Sequence, residues 1–259
     1  MKIGVVGLGL IGGSIYKKCM QLGLEVVGIS KSQSGKERNI YSDYSYLKEC
    51  NLVFVCSHMR EVLKVLKELE LYLPQETMVC DVCSLKEFVS KQTYCYKFVP
   101  THPMAGTEKS GFENSFAEMF VDAKWVITPI DNTDITVLKD FIGKMGATHV
   151  ITTPKEHDEA VALISHMPMV ISQALFAVVE NNDLAKKLAS SGFRDMTRLA
   201  MSNVDMASDM VNLNHENIQN AILKLYSNVG NLIKENYPEK ISKIQNEREK
   251  MYIDGKNVL

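Results

Sequence analysis

Short apolar runs rich in β-branched residues alternate with helical stretches over the first 151 residues of the chain. Strands that alternate with helices form βαβ units, and these units build a largely parallel sheet. The fold class predicted for this part of the chain is therefore α/β. The predicted strands are residues 3–6, 25–29, 52–56, 77–80, 96–99, 124–128 and 148–151.

Beyond residue 151 the strand pattern stops and a helical pattern follows. Thr153, Pro154 and Glu156 form a helix start, with a capping hydroxyl, a proline at the first helical position and a glutamate three residues after the cap. The predicted domains are an α/β domain at 1–152 and an all-α domain at 153–259. Apolar residues recur at helical spacing along 214–235, and this much apolar helix predicts a homodimer formed through the C-terminal helices.

An uncharged stretch at residues 160–179 is long enough to span a bilayer. Polar residues and a proline interrupt it, and Glu159 and Glu180 flank it. We therefore expect a helix buried within protein and no membrane association. The interrupting residues are Ser165, His166, Pro168, Ser172 and Gln173.

Composition and charge narrow the class of protein. A chain of 259 residues with 46% hydrophobic residues can bury a sizeable core. The formal net charge of -2 and the pI near 6.3 give no basic excess, so nucleic acid is not an expected partner. Because the first strand begins at once, without a charged and then apolar leader, we expect a cytoplasmic protein.

The six cysteines all lie between Cys19 and Cys95, and only Cys80 and Cys83 form a close pair. A zinc site normally needs four ligands, and the sequence contains no second close pair. Cys80 also lies in an apolar run that is typical of a buried strand. We therefore expect structural thiols and no metal site.

Glycines at residues 7–12 (GLGLIG) follow the first predicted strand and open a helix, which is the context of a Rossmann-type dinucleotide site. They allow a tight turn and a close approach of the backbone to a pyrophosphate, whose charge then meets the helix N-terminus. The sequence therefore predicts a dinucleotide site here. The expected contacts are Gly7, Gly9, Leu10, Ile11 and Gly12.

The second strand ends in Ser30, Lys31 and Ser32, without the Asp or Glu that reads the ribose 2′-hydroxyl of NAD. A carboxylate there would repel a 2′-phosphate, whereas hydroxyls and a lysine favour it. These three residues therefore predict NADP as the preferred cofactor, with NAD possible. The alternative is that residues 30–34 are an ordinary solvated loop.

The segment 99–108 (VPTHPMAGTE) sets His102 between two prolines that restrict the backbone, and we expect a rigid turn at the mouth of the sheet. An imidazole with a reference pKa of about 6.5 can accept a proton at neutral pH. His102 is therefore a candidate general base beside a redox cofactor. The alternative is a histidine that merely caps a loop.

Five segments, in order along the chain, resemble the prephenate/arogenate dehydrogenases of tyrosine biosynthesis. They are the glycine fingerprint and residues 81–86 (DVCSLK), 101–108 (THPMAGTE), 165–168 (SHMP) and 191–200 (SGFRDMTRLA). The resemblance implies a Rossmann-type domain followed by a helical dimerisation and substrate domain, with the active site between them. It also implies oxidative decarboxylation of arogenate or prephenate, to tyrosine or 4-hydroxyphenylpyruvate, with hydride transfer to NADP.

The resemblance also implies roles for particular residues. His102 matches the histidine that accepts the proton of the ring hydroxyl, and Ser84 matches a serine that positions that hydroxyl and the histidine. Arg198 matches the arginine that holds a substrate carboxylate. His166 and Thr107 match residues near the substrate.

Residue chemistry bears on these roles. Loss of hydride from a carbinol builds positive character on carbon, so a base that removes the hydroxyl proton stabilises the transition state. The guanidinium of Arg198 can bind a carboxylate through two hydrogen bonds. Arg194 is the alternative, and Asp195 and Asp209 can give either arginine a plain ion-pair role. For His166 the alternative is a hydrogen-bonded core histidine.

The sequence also departs from the family. Ser57 and His58 stand where many relatives have a proline, in the loop near the nicotinamide, and we include Ser57 among the expected cofactor contacts. Cys83 stands where a glycine is common. The chain length leaves no room for a fused chorismate mutase or a regulatory ACT module, so we expect any feedback control to act at the active site.

Two rival functions stay open. One is another two-domain NADP-dependent dehydrogenase or reductase of the β-hydroxyacid type, which would not need both His102 and the arginine segment. The other is a non-catalytic NADP-binding sensor. Within the resembling family, no residue distinguishes the keto side chain of prephenate from the amino acid side chain of arogenate, and only the loop at residues 30–32 favours arogenate, by analogy.

Overall fold

The computed structural model describes residues 1–107, 109–234, 236–253 and 256–257, and the chain divides into two compact units, Met1–His215 and Glu216–Leu259. The strands of the first unit are β1 (Lys2–Val6), β2 (Glu25–Ile29), β3 (Ile40–Tyr41), β4 (Leu52–Val55), β5 (Met78–Asp81), β6 (Lys97–Phe98), β7 (Thr101–Pro103), β8 (Lys124–Ile127) and β9 (Thr148–Ile151). Its α-helices are α1 (Leu10–Gln21), α2 (Met59–Leu69), α3 (Glu87–Ser90), α4 (Thr136–Lys144), α5 (Pro154–Val161), α6 (Met167–Val179), α7 (Asp183–Leu188), α8 (Ser191–Met196) and α9 (Val204–Leu213). Short 3-10 helices lie at Tyr44–Leu47, Phe112–Asn114 and Arg198–Met201, and a π-helix lies at Ala162–His166.

A six-stranded sheet with the order β3-β2-β1-β4-β5-β6 forms the centre of the first unit, and every pair in it is parallel. This finding confirms the predicted Rossmann-type, largely parallel sheet. The strand order reverses between β1 and β4, which run side by side from Ile3 and Leu52 to Val6 and Val55. In sheets of this kind, ligands bind at the carboxyl ends of the two strands where the order reverses.

Both faces of this sheet are buried. Because side chains alternate along a strand, β4 contributes Val53 and Val55 to one hydrophobic cluster and Leu52 and Phe54 to the other. Residues of α2 pack in the first cluster and residues of α1 pack in the second. Burial on both faces explains why these strands are continuous apolar runs.

A second sheet, with the order β7-β8-β9, contains His102. The expected rigid turn is wrong at this residue, because His102 lies in β7 and pairs with Val126 of the antiparallel strand β8. The backbone N–H of Met104 donates to the carbonyl oxygen of Lys124 at 2.8 Å, so the ladder continues past Pro103. Proline is tolerated there because its missing donor falls between two ladder bonds.

The predicted helix start at Thr153 is confirmed. The Thr153 hydroxyl accepts the backbone N–H of Glu156 at 3.2 Å, and the Glu156 carboxylate accepts the backbone N–H of Thr153 at 3.1 Å. The helical path then widens into the π-helix Ala162–His166, where the N–H of Met167 donates to the carbonyl oxygen of Ala162. The next residue, Pro168, has no N–H, and π turns of this kind are frequent at functional sites.

Burial of the stretch at 160–179 is less complete than expected. His166 and Met169 are buried, whereas Ile164 and Val178 are 65% and 81% exposed. In the part of the chain that the structure describes, Pro154–Val179 is the one helical stretch whose length and mean hydropathy of 1.7 would allow it to cross a membrane.

The second unit contains the rest of α10 (His215–Leu232), then α11 (Tyr237–Met251) and a hairpin of β10 (Tyr252–Ile253) with β11 (Lys256–Asn257). The expectation that strands stop after residue 151 is therefore wrong. The sequence between β10 and β11 is Asp-Gly, a pair that favours two-residue hairpin turns, and this signal was available in the sequence. Glu108, Glu235 and these two residues lie outside the described part of the chain.

Candidate active site

The glycine turn follows β1 at the carboxyl edge of the six-stranded sheet. Gly7 has a φ of +87°, which L side chains rarely adopt, and its N–H donates to the carbonyl oxygen of Ile29 at 2.9 Å. A Cβ on Gly12 would lie 2.0 Å from the carbonyl oxygen of Gly7. The turn and α1 can therefore approach this closely only because both positions are glycine.

Polar groups around this turn fit the pyrophosphate and ribose of a dinucleotide. No side chain caps the N-terminus of α1, and a Cβ on Gly9 would meet nothing within 4 Å. The N–H groups of Leu10 and Ile11 lie in the first turn of this helix, where the helix itself offers them no acceptor, so they can bind an anion. Ser57, which follows β4 at the same edge, has a buried hydroxyl oxygen without a partner among the described residues.

The end of β2 carries the three residues that were expected to select NADP. The N–H of Ser30 donates to the carbonyl oxygen of Tyr41 at 2.8 Å, and the hydroxyl oxygens of Ser30 and Ser32 lie 3.3 Å apart. Lys31 and Ser32 are exposed. Lys31 makes no ion pair within the described residues, so its ammonium group can meet an anionic ligand.

His102 lies next to the carboxyl end of β5. The preceding residue, Thr101, donates its N–H to a carboxylate oxygen of Asp81 at 3.2 Å and its hydroxyl to the carbonyl oxygen of Asp81 at 2.6 Å. Because Asp81 is the last residue of β5, these bonds hold His102 at the same sheet edge as the glycine turn. Burial lowers the pKa of His102 well below its usual range, and neighbouring His157 and Lys86 lower it further.

A second histidine contacts His102 directly. Nδ1 of His102 lies 3.0 Å from Nε2 of His157, and the two rings meet edge to face. Nδ1 of His157 lies 2.7 Å from Oδ1 of Asp158. Both His157 and Asp158 are buried on α5. Asp158, His157 and His102 therefore form a row in which a carboxylate and two imidazole rings are joined by hydrogen bonds.

His166 is linked to the same group through Asn214. The amide nitrogen of Asn214 donates to the carbonyl oxygen of Asp158 at 2.9 Å and lies 3.2 Å from Nδ1 of His166. Nδ1 must accept there, so the proton of neutral His166 is on Nε2. Burial lowers the pKa of His166 to about 4, so it is neutral at pH 7. Its Nε2 is buried and has no partner in the described part of the chain.

A buried ion pair supports the strand that carries His102. The ammonium group of Lys86 contacts a carboxylate oxygen of Asp81 and donates to the carbonyl oxygen of Thr101 at 2.5 Å. Both charged side chains are fully buried. Three donors satisfy the Asp81 carboxylate, since the N–H groups of Cys83 and Thr101 donate to it besides the Lys86 ammonium group.

The other predicted site residues make no such contacts. Ser84 is partly buried in the loop between β5 and α3, and Thr107 is exposed and accepts the N–H of Lys109 at 3.2 Å. Arg198 is exposed on its 3-10 helix and pairs with no acidic residue in the described ranges. Among the described residues, no hydrogen bond or ion pair joins Ser84, Thr107 or Arg198 to His102.

The expected ion-pair role of the arginines applies only to Arg194. Nε of Arg194 lies 3.5 Å from a carboxylate oxygen of Asp195. Asp209 instead pairs with Arg60 of α2, at 3.3 Å. The Arg198 guanidinium is therefore the one of the two candidates that has no acidic partner within the described ranges.

The cysteines are all free, and four of them, Cys19, Cys50, Cys80 and Cys83, are buried. Burial raises the pKa of Cys19 to about 12 and that of Cys50 to about 11, so these thiols stay protonated at pH 7. Among the described residues, no group of three or more His, Cys, Asp or Glu side chains is arranged to hold a metal ion.

Sequence reasoning missed His157, Asp158, Asn214, Lys86 and Asp81. The histidine and aspartate of α5 follow a capping box, so the sequence predicts only an ordinary helix start there. A buried His-Asp pair must be hydrogen-bonded, but the sequence does not signal this burial, because α5 also contains the charged residues Lys155, Glu156 and Glu159. The partners of these residues lie far away in sequence and only the fold brings them together.

The parallel sheet, the glycine turn and the polar edge define a nucleotide-binding protein of the Rossmann class. The family described as "Prephenate dehydrogenase, nucleotide-binding domain" matches residues 25–152, and the family described as "Prephenate dehydrogenase, dimerization domain" matches residues 153–246. The chain belongs to the prephenate dehydrogenase family.

Relatives of this chain include both prephenate and arogenate dehydrogenases. It is 31% identical to a prephenate dehydrogenase of Bacillus subtilis over 238 residues, which are 83% of this chain and 64% of that protein. The crystal structure of Synechocystis arogenate dehydrogenase matches with a TM-score of 0.84 and 31% identity, over 97% of this chain and 100% of that one. A prephenate dehydrogenase of Aquifex aeolicus, in complex with hydroxyphenyl propionate and NAD+, matches in fold with a TM-score of 0.84 and 24% identity, over 97% and 98% of the two chains.

Proposed function

We propose that the protein oxidises arogenate or prephenate at the ring carbinol, with loss of the ring carboxylate as CO2 and hydride transfer to NADP. The observation that carries this proposal is His102, which stands at the carboxyl edge of the sheet with Nδ1 3.0 Å from Nε2 of His157. Membership in the prephenate dehydrogenase family supports the same reaction. The products are tyrosine from arogenate or 4-hydroxyphenylpyruvate from prephenate.

His102 acts as the general base. Its lowered pKa keeps the imidazole neutral at pH 7, so it can accept the proton of the ring hydroxyl as the carbon loses hydride. The oxidised ring then loses its carboxylate as CO2, and the electron pair of the broken bond makes the ring aromatic. The phenolate oxygen takes the proton back from His102, so the enzyme ends the cycle in its starting state.

The glycine turn holds the dinucleotide. Gly7, Gly9 and Gly12 shape the turn, and the N–H groups of Leu10 and Ile11 meet the pyrophosphate at the start of α1. When bound, the nicotinamide supplies the hydride acceptor. The unpartnered hydroxyl of Ser57 lies at the same edge and serves the ribose or the carboxamide. Ser30, Lys31 and Ser32 bind the 2′-phosphate, which favours NADP over NAD.

Substrate is held by residues on the helical side of the site. Arg198 binds a substrate carboxylate through two hydrogen bonds, and the absence of a described acidic partner leaves its guanidinium available. The buried Nε2–H of His166 donates to the substrate. Ser84 positions the ring hydroxyl, and Thr107 lies near the substrate. Family resemblance supports the roles of these last two residues.

We assign residues 1–152 to the dinucleotide-binding domain and residues 153–259 to the helical substrate and dimerisation domain. A homodimer formed through the helices is supported by the dimerisation domain of the family and by exposed apolar residues such as Val178 and Val204, which are 81% and 80% exposed. The biosynthetic relatives support a cytoplasmic location.

We propose arogenate as the preferred substrate, because the loop at residues 30–32 resembles, by analogy, that of the arogenate dehydrogenases that use NADP. The relatives include enzymes named for either substrate, so they favour neither. The distinction depends on whether the pocket around the side chain meets a ketone or an ammonium group.

A steady-state assay tests the proposal. The purified chain is mixed with arogenate or prephenate and with NADP or NAD, and the absorbance of the reduced cofactor is followed. We expect turnover of at least one of the two substrates, fastest with NADP. No turnover of either substrate, despite tight NADP binding, would support a non-catalytic NADP-binding sensor. Turnover of a β-hydroxyacid instead would support another two-domain NADP-dependent dehydrogenase or reductase.

A further inference from the structure

A chain of hydrogen-bonded residues leads from His102 into the helical segment. It passes from Nδ1 of His102 to His157, from His157 to the Asp158 carboxylate, and from the Asp158 carbonyl through Asn214 to His166. The contact between the two histidine rings is 3.0 Å long, and the contact between His157 and the Asp158 carboxylate is 2.7 Å long. His102 is partly buried, and every other member is buried. Buried groups in such a path have little freedom to exchange donor and acceptor roles.

The carboxylate of Asp158 fixes the direction of this path, because its oxygens can only accept. The backbone N–H of Lys86 donates to Oδ1 at 2.8 Å, and that of Glu87 donates to Oδ2 at 2.9 Å. Nδ1 of His157 is the third donor, so it must carry a proton. When His157 is neutral, its Nε2 has a lone pair and accepts.

We propose that His157 and Asp158 are positioning residues that fix the proton of His102 on Nδ1 and so present Nε2 as the base. This proposal rests on the proposed function, in which His102 is the general base. With Nε2 of His157 accepting, Nδ1 of His102 must donate across the 3.0 Å contact. The lone pair of His102 then lies on Nε2, the ring nitrogen that faces away from His157.

The same arrangement stabilises the protonated base. After His102 accepts the hydroxyl proton, the Nδ1–H of its positively charged ring donates to Nε2 of His157, and the Asp158 carboxylate accepts from the Nδ1–H of His157. Among the described residues, the titratable groups that act on His102 are His157, Lys86 and His166, and the carboxylates of Asp158 and Asp81 contact His157 and Lys86 in turn. Because the Asp81 carboxylate is paired with Lys86, the Asp158 carboxylate is, in the part of the chain that the structure describes, the anion placed to offset a positive charge on the two rings.

The tautomer of His102 is measurable without turnover. In the NADP complex of the full chain labelled with 15N-histidine, nitrogen chemical shifts distinguish Nδ1–H from Nε2–H rings, and the signals that disappear in His102→Asn belong to His102 among the six histidines. We expect the Nδ1–H form at pH 8. A His102 ring protonated on Nε2, as a cationic His157 would require, overturns the proposal.

Substitution of Asp158 tests the cause. In Asp158→Asn one of the two carboxylate oxygens becomes an NH2 group, so the side chain can no longer accept at both positions. With the NH2 group in the place of Oδ1, it donates to Nδ1 of His157 and the Lys86 N–H loses its acceptor, while the remaining oxygen keeps the N–H of Glu87. The proton of His157 then moves to Nε2, which reverses the bond to His102. We expect the His102 proton to move to Nε2 and kcat to fall ~10²-fold or more, with cofactor KM nearly unchanged. Glu159→Gln, an exposed neighbour on α5, is the matched control and is expected to change neither.

A pair of variants at His157 keeps the test decisive if Asp158→Asn does not fold. His157→Gln offers an amide oxygen that can accept from Nδ1 of His102, whereas His157→Leu offers no acceptor. We expect His157→Gln to keep kcat within about tenfold and His157→Leu to lose ~10²-fold or more. Equal kcat in the two variants overturns the proposal.

The two kinds of measurement separate this inference from the proposed function. A His102 ring protonated on Nδ1, in a protein that turns over neither arogenate nor prephenate, leaves the inference standing and removes the function. Turnover by a protein whose His102 is protonated on Nε2 leaves the proposed function standing and removes the inference.

Discussion

The backbone N–H of Lys86 donates to the Asp158 carboxylate at 2.8 Å, across 72 positions of sequence. This bond ties the loop after β5, which contains Ser84, to the start of the helical segment, which contains His157. One buried carboxylate therefore positions both the serine loop and the partner of His102. A substitution that moves this carboxylate should therefore displace the loop that contains Ser84 and the ring of His157, and should affect the six-stranded sheet less.

Removal of the Lys86 charge is expected to destabilise the protein strongly. Lys86→Met leaves the fully buried Asp81 carboxylate without its cation, and breaking a buried pair in this way costs about 3–5 kcal/mol of unfolding free energy. Urea denaturation measures the change. Lys155→Met, which removes an exposed i,i+4 pair with Glu159, is the control and should change stability by less than about 1 kcal/mol. A loss from Lys86→Met no larger than that of the control would contradict the structure.

Replacement of His102 is expected to remove the base and spare the cofactor site. In His102→Asn, kcat should fall by ~10²–10⁴-fold, the range for loss of a general base, while the NADP dissociation constant changes little. Turnover assays and cofactor titration measure the two effects. Exposed His149 of β9 supplies the control, since His149→Asn should leave both unchanged. Near-normal turnover of His102→Asn would exclude His102 from the mechanism.

Local sequence signals were sufficient for the sheet and the glycine turn. Apolar runs predicted β1, β2, β4 and β5 to within a residue or two, because strands buried on both faces are apolar at every position. The capping box at Thr153 and the turn at Gly7 were also predictable, since each depends on residues that are close together in sequence.

Long-range pairing explains what the sequence did not reveal. The segment around His102 became a strand because β8 pairs with it, and two prolines had indicated a turn. The contact between His102 and His157 spans 55 positions, and neither residue carries a pattern that announces the other. Periodicity reports which side of an element is buried, but it does not report which polar groups meet there.

Burial of His166 should make stability depend on pH. Its pKa is about 4 in the folded chain, against about 6.5 when unfolded, so below pH 6.5 the unfolded chain binds a proton that the folded chain does not. Unfolding free energy therefore falls as the pH decreases from about 6.5 to about 4, by about 2 kcal/mol for this residue between pH 7 and 4.5. In His166→Gln that part of the pH dependence should be lost.

Urea denaturation of parent and variant at pH 7 and pH 4.5 measures this difference directly. His102 contributes to the pH dependence of the unfolding free energy with the same sign, because its pKa is also lowered. The test is therefore the difference in this pH dependence between parent and variant, and not its size in either protein. His149→Gln, at an exposed position, should keep the parental pH dependence. An unchanged slope in His166→Gln would mean that His166 is not buried as a neutral ring.

The exposed apolar side chains of the helical segment should mediate dimerisation. Val178 is 81% exposed on α6, and a buried negative charge there would be left unpaired in a dimer. We expect light scattering to give a dimer mass for the parent chain and a monomer mass for Val178→Glu. Exposed Glu180 is the neighbouring control, and Glu180→Gln should stay dimeric. A monomeric parent chain would contradict the proposed homodimer.

Lys31 should determine how strongly the protein distinguishes NADP from NAD. Its exposed ammonium group follows Ser30 at the end of β2, where a 2′-phosphate would lie, and a lost charge-assisted hydrogen bond is worth about 1.5–3 kcal/mol. Lys31→Ala should therefore lower kcat/KM for NADP by about tenfold or more and leave kcat/KM for NAD nearly unchanged. Lys48→Ala removes another exposed lysine and should affect neither. Equal losses with the two cofactors, or a parent chain that already prefers NAD, would show that residues 30–34 are an ordinary solvated loop and that the missing carboxylate after β2 does not select the phosphate.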